Sequence, residues 1–164
     1  MCNFVKLVIE KSDKMNFYME RALNNAINNS DGGPFGAIIV DKNGNIIADG
    51  NNKVLKENDP TAHAEIVAIR EACRKLNTYD LTGCTLYTSC EPCPMCLSAI
   101  IWANIKEVYY GCTRKDAERI GFRDNIIYEY LNENKKELLK LEQIDRDLCV
   151  MAFEKYEKNK GITY

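Results

Sequence analysis

The chain reads as an α/β three-layer sandwich, a mixed sheet of about five strands flanked by helices. Three observations carry that reading. Helical periodicity opens the chain, two apolar runs joined through Asn-Gly signal a hairpin, and a strand–helix–strand succession beyond Thr85 has the length of a parallel crossover.

From Lys14 to Asn28, Met15, Met19, Ala22, Leu23, Ala26 and Ile27 fall on one helical face, and Asp31-Gly32-Gly33-Pro34 stops the helix. Gly36–Val40 follows as a buried strand. Asp41–Asn45 is the turn, and Ile46–Asp49 the returning strand. Asn58-Asp59-Pro60-Thr61 offers a cap and a proline for a second helix that runs to about Leu76. Thr85–Thr88 is the third strand, Met95–Ala103 the third helix and Glu107–Gly111 the fourth strand. Leu138–Ile144 is expected as a last strand, and Asp145 as the cap of a final helix to about Lys158. No linker or repeat divides the sequence, so residues 1–164 are expected to form one domain. Residues 1–12 are an N-terminal extension, and residues from about 145 a helix and tail.

Composition narrows the function. The 164 residues are 46% hydrophobic and 28% charged, ordinary for a globular protein. Twenty-two basic against 24 acidic residues leave a net charge of −2, without the basic excess that holds polyanions. The expected partner is therefore a small molecule and not a nucleic acid. No run approaches the roughly 20 apolar residues of a membrane span. Phe4–Ile9 is short, interrupted by Lys6 and without a cleavage pattern, so a cytoplasmic location is expected.

The single histidine lies in Pro60-Thr61-Ala62-His63-Ala64-Glu65, and thirty residues later comes Glu91-Pro92-Cys93-Pro94-Met95-Cys96. Each piece stands at the start of a predicted helix. Two such helix starts side by side would gather His63, Cys93 and Cys96. Imidazole and two thiolates suit zinc, and three protein ligands leave the fourth position for a water or hydroxide. Positive helix ends favour the thiolates. Glu65, two residues beyond the histidine, is placed to serve as the base that such a water needs.

Blander readings stand beside this one. A lone Cys-x-x-Cys also occurs in redox pairs and structural zinc sites, and Cys90 is available as a fourth ligand for a non-catalytic zinc module. A thiol-redox protein using Cys93 and Cys96 would be indifferent to His63. The other five of the eight cysteines are scattered and read as small core or neutral residues.

At these residues the chain resembles the cytidine deaminase superfamily, whose signature is His-x-Glu followed by Pro-Cys-x-x-Cys. The longer strings Asn58–Glu65, Leu86–Cys96 and Gly121-Phe122-Arg123-Asp124 resemble the bacterial guanine deaminases within it. The resemblance implies a cytidine deaminase-like fold with one zinc per chain. It implies hydrolytic deamination of guanine to xanthine and ammonia, in purine salvage or catabolism. Zinc hydroxide would attack the ring carbon that bears the amino group, with Glu65 moving the protons and Asp124 assisting the departing amine. It also implies that Asn52 binds the purine, Phe35 packs on its face and the Ala64 N–H polarises a ring substituent. Trp102 would stand in the pocket wall and Tyr164 close over the ligand. Homodimers with exchanged C-terminal segments are implied as well. The ending Lys158–Tyr164 departs from the Lys-Glu-Tyr ending of that branch.

Each role has a plainer competitor. Phe35 and Trp102 fit a core, Asn52 a turn, Asp124 the start of the Asn125–Leu131 helix and Tyr164 a frayed tail. Related substrates (guanosine, cytosine, tRNA adenosine) compete with guanine, because pocket contacts decide among them.

Overall fold

The computed structural model describes residues 15–132 and 135–163; the N-terminal extension, residues 1–12, and Tyr164 lie outside them. The chain divides into two compact units, one through Tyr128 and one from Glu129.

The first unit opens with α1, Phe17–Ile27, capped by Asn16, whose Oδ1 accepts the N–H groups of Tyr18 at 2.9 Å and Met19 at 3.2 Å. This cap satisfies two of the amides that a helix start leaves unpaired. The face carrying Ala22 and Ala26 is buried. Strands β1 (Gly36–Val40) and β2 (Ile46–Asn51) form the predicted hairpin, with Ala37 opposite Gly50 and Ile38 opposite Asp49. A four-residue helix α2, Val54–Glu57, precedes α3, Ala64–Leu76. Strand β3 (Thr85–Cys90), helix α4 (Pro94–Trp102) and strand β4 (Glu107–Cys112) complete the crossover. A short α5, Arg114–Arg119, follows, and then α6, Asn125–Leu131, which runs past Tyr128 into the second unit.

The sheet order is β2-β1-β3-β4, antiparallel except for the β3–β4 pair, which is parallel. Two glycines let helices press on its opposite faces. A Cβ at Gly36 would come within 2.3 Å of the Ala22 carbonyl in α1, and one at Gly50 within 2.1 Å of the Ala64 carbonyl in α3. Glycine is the residue that permits such approaches. The core between β1, β3, α3 and α4 holds Ala37, Ile39, Ala64, Ala68, Leu86 and Ile100. Each large aliphatic side chain buried there contributes about 1.5–3 kcal/mol relative to exposure. Helices on both faces of a mixed sheet are the architecture expected from the sequence.

Two expectations change in detail. The sheet has four strands among the described residues, not about five. Leu138–Ile144 is no strand: a 3₁₀ turn at Lys136–Leu138 leads into irregular chain, with Leu139, Leu141 and Ile144 at 55%, 81% and 76% exposure. Its apolar residues at 138, 139, 141 and 144 do not alternate, so the segment has no single face to bury as a strand. The second helix begins at Ala64 with His63 at the cap position, five residues after Asn58. Asp59 instead accepts the N–H of Thr61 at 2.8 Å and shapes the turn before the helix.

In the second unit the 3₁₀ turn precedes α7, Arg146–Lys158. Asp145 stands at its cap position without a side-chain capping bond, and the Tyr156 hydroxyl donates to the Ile162 carbonyl.

Candidate metal centre and active site

The catalytic candidates come from one end of the first unit. Phe35 precedes β1, Asn52 follows β2, His63 caps α3 and Cys93 caps α4. Pro94 opens α4, a position where its missing N–H costs nothing. Cys96 lies in the first turn of the same helix and is fully buried.

His63 Nδ1 is 3.6 Å from Cys93 Sγ and 3.5 Å from Cys96 Sγ. All three donor atoms lie within 4.8 Å of one another, a grouping found once among the described residues. Tetrahedral zinc with bonds of about 2.3 Å to sulfur and about 2.1 Å to nitrogen has N–S edges of roughly 3.6 Å. The donor triangle therefore fits zinc in both chemistry and size.

Electrostatics follow the same geometry. The Cys93 thiol is held down to about 4, chiefly by its hydrogen bond with Cys96 and then by that with His63, against the effect of burial. The same bond to Cys93, together with burial, pushes Cys96 well up. A divalent cation bound by both sulfurs would displace their protons. The hydrogen bond to Cys93 raises His63.

Cys90 is not in the triangle. Its thiol points to the Thr113 carbonyl at 3.6 Å, and burial pushes it up to about 12. With three protein donors and not four, the centre has the open position of a catalytic site. Beside it lies a small chamber of about 30 Å³, lined by His63 and Cys93 with Phe35, Asn52, Glu65, Phe122 and Asp124, which continues into a mouth of about 490 Å³.

Glu65 is 6% exposed, and its Oε2 accepts the Cys96 thiol at 3.5 Å. Burial raises its carboxyl above the usual carboxylate range. Its Oε1 accepts the Thr88 hydroxyl at 3.3 Å. Asp124 is half-buried and its carboxyl is likewise raised, by burial first and then by the Cys93 thiolate. Asn52 is both a structural residue and a wall of the chamber. Its Oδ1 accepts the N–H groups of Gly33 and Val54, each at 3.2 Å. Those two donors fix the amide orientation at the chamber wall. Phe35 meets Phe122 edge to face, ring centroids 4.6 Å apart. Ala64 is buried at the first position of α3.

Trp102 stands apart. It closes α4 at 66% exposure and does not line the chamber or its mouth. Phe122, Glu91 and Thr88 are among the lining or supporting residues that received no individual role from the sequence. A signal for Thr88 was present: with Leu86 and Cys90 it occupies the buried register of β3, and a hydroxyl on that register needs a partner. Among the described residues no helix is long and apolar enough to cross a membrane.

An α/β sandwich that presents one histidine and two cysteines from paired helix starts, with a buried glutamate at the open side, defines a catalytic zinc centre of the hydrolytic deaminase type. The profile of the cytidine and deoxycytidylate deaminase zinc-binding region matches residues 12–112. The chain belongs to this family of zinc-dependent hydrolases. It is 52% identical over 123 residues to the guanine deaminase of Bacillus subtilis strain 168, a match covering 73% of this chain and 78% of the relative. The X-ray structure of guanine deaminase from Bacillus subtilis superposes with a TM-score of 0.82 at 44% identity, covering 88% of this chain and 95% of that one. A tRNA-specific adenosine deaminase of Buchnera aphidicola subsp. Schizaphis graminum is 38% identical over 152 residues, 92% of this chain and 98% of its own length.

Proposed function

We propose that the protein hydrolyses guanine to xanthine and ammonia. The observation that carries this reading is Glu65, buried beside the open side of the His63–Cys93–Cys96 triangle, in a chain 52% identical to a guanine deaminase.

Zinc held by His63, Cys93 and Cys96 supplies a Lewis acid that makes water a nucleophile near neutral pH. The chain's own residues do the rest. A Glu65 oxygen takes a proton from the attacking water and delivers it to a ring nitrogen as the C–O bond forms at the carbon bearing the amino group. The new hydroxyl then gives its proton to Glu65, which with Asp124 passes it to the amino group, and the C–N bond breaks to release ammonia as the carbonyl forms. Burial raises both carboxyls above the usual carboxylate range, the direction that favours holding a proton for transfer. Asn52 Nδ2 donates to a purine acceptor, and the Ala64 N–H at the start of α3 polarises a ring substituent. Phe35 packs on the ring face, and the chamber between it and the metal ligands excludes bulk water.

The resemblance adds Tyr164 closing over the ligand, Trp102 in the wall and a cytoplasmic homodimer. In that reading residues 1–164 are one deaminase domain, and the helix and tail from about 145 are exchanged between subunits. Exposure of Leu97, Ile101 and Trp102 on α4 at 44%, 63% and 66% supports an apolar subunit contact.

The near full-length similarity to a tRNA-specific adenosine deaminase favours a second reading, on an RNA hairpin. The net charge of −2 argues against it. Zinc-loaded protein incubated with guanine should yield xanthine and ammonia, with guanosine, adenine, cytosine and a tRNA anticodon hairpin unchanged in parallel. Conversion of the hairpin adenosine without guanine would transfer the reading to RNA. No conversion of any substrate, with zinc bound, would overturn both.

A further inference from the structure

Cys90 and Cys112 occupy the same rung of the parallel β3–β4 ladder. Neighbouring strands run about 4.8 Å apart, and paired residues direct their side chains to the same face. A disulfide asks for Cα atoms roughly 4.4–6.8 Å apart with converging Cβ vectors. The Glu91 N–H donates to the Cys112 carbonyl at 2.8 Å and fastens the strand ends at this rung. A second observation agrees. Both cysteines border one apolar groove of about 460 Å³, walled also by Leu23, Ile27, Ala117 and Ile120. Cys112 is exposed and Cys90 buried, and both are free thiols. The Cys90 contact with the Thr113 carbonyl, at 3.6 Å, is long and easily given up.

We propose that Cys90 and Cys112 are a reversible thiol–disulfide pair, a modification site built into the wall of the catalytic chamber. The oxidant is a low-molecular-weight disulfide. The exposed Cys112 thiolate attacks one of its sulfurs, the S–S bond breaks, and one small thiolate leaves. Cys90 then loses its proton and attacks Cys112 Sγ, forming the protein disulfide and releasing the second small thiolate. Two electrons pass from the protein to the small disulfide, and the two thiol protons go to the released thiolates. Cys90 lines the chamber and stands three residues before the ligand Cys93. Drawing its sulfur to Cys112 reshapes the chamber beside the metal ligands, so oxidation lowers turnover.

The test uses zinc-loaded protein, in which the metal protects Cys93 and Cys96, incubated with glutathione disulfide. The expected result is a protein lighter by two hydrogens, a non-reduced peptide linking Cys90 to Cys112, and unchanged zinc content. Guanine turnover should fall to a small fraction and return on reduction. Cys112→Ser should bind zinc, form no linked peptide and keep its turnover after the same treatment. A stable glutathione adduct on Cys112, or a link to another cysteine, would overturn the pair. A Cys90–Cys112 link with unaltered turnover would overturn its effect on catalysis. Only the turnover arm rests on the guanine reading; a linked peptide in a protein inactive on guanine would count against that reading and leave the pair standing.

Discussion

The Thr88 hydroxyl donates to Glu65 Oε1 at 3.3 Å, from a side chain that is 1% exposed. The bond ties the inner strand β3 to the first turn of α3 at the carboxylate proposed to move protons. The other Glu65 oxygen lies toward Cys96. Thr88→Val keeps the shape and removes the donor. A hydrogen bond to a charged group contributes about 1.5–3 kcal/mol, so kcat should fall about tenfold or more. KM should change little, zinc content not at all, and Thr88→Ser should restore most of the rate. An unchanged kcat would make Thr88 a packing residue only.

Glu65→Gln tests the proton carrier itself. Glutamine preserves volume and accepts the Thr88 hydroxyl, yet cannot take a proton from water. Turnover should fall by at least ~100-fold, the usual contribution of general acid–base catalysis, while zinc stays bound. Steady-state rates and metal analysis on the same sample decide it. Near-normal activity would remove Glu65 from the mechanism.

The metal ligands were legible because local chemistry sets them. A histidine and a Cys-x-x-Cys before helical periodicity become helix caps and first-turn residues wherever the helices form, and the strand–helix–strand spacing brings those starts together. The hairpin was legible for the same reason: Asn-Gly between apolar runs specifies its own turn. What failed depended on partners distant in sequence. Leu138–Ile144 is apolar enough for a strand, but a strand exists only through a ladder. Trp102 is a further residue whose role no local pattern sets: it stands exposed at the end of α4, where the helix stops. Asn52 was weighed as a turn residue or a purine ligand, and its two backbone bonds make it a loop anchor that also faces the chamber.

A three-donor centre and a four-donor structural site respond differently to single substitutions. His63→Ala or Cys93→Ala should lose zinc and activity together, because two remaining donors hold the ion poorly. Cys90→Ala should retain one zinc per chain, since the Cys90 thiol faces the Thr113 carbonyl and not the triangle. Zinc stoichiometry of the three purified variants is the measurement. Loss of zinc from Cys90→Ala would restore the structural-site reading.

The Arg21–Asp49 pair joins α1 to β2, Nε to Oδ1 at 2.8 Å and Nη2 to Oδ2 at 3.1 Å, and Asn25 donates to the same carboxylate at 2.9 Å. Arg21 first, and then Asn25, hold the Asp49 carboxyl below its ordinary range against partial burial. A depressed folded-state value means stabilisation present in full above the unfolded carboxylate value near ~3.9, and lost as pH falls through the lower folded value. With side chains 53% and 40% exposed, solvent screens the pair, and Arg21→Gln should cost about 0.2–1 kcal/mol at neutral pH. The gap between the two proteins should then narrow progressively as the pH falls below about 4. Urea unfolding of both proteins across that range measures it, and acid loss of zinc, common to both, cancels in the difference. A gap that does not change with pH would mean that Arg21 contributes through its aliphatic stem and not through its charge.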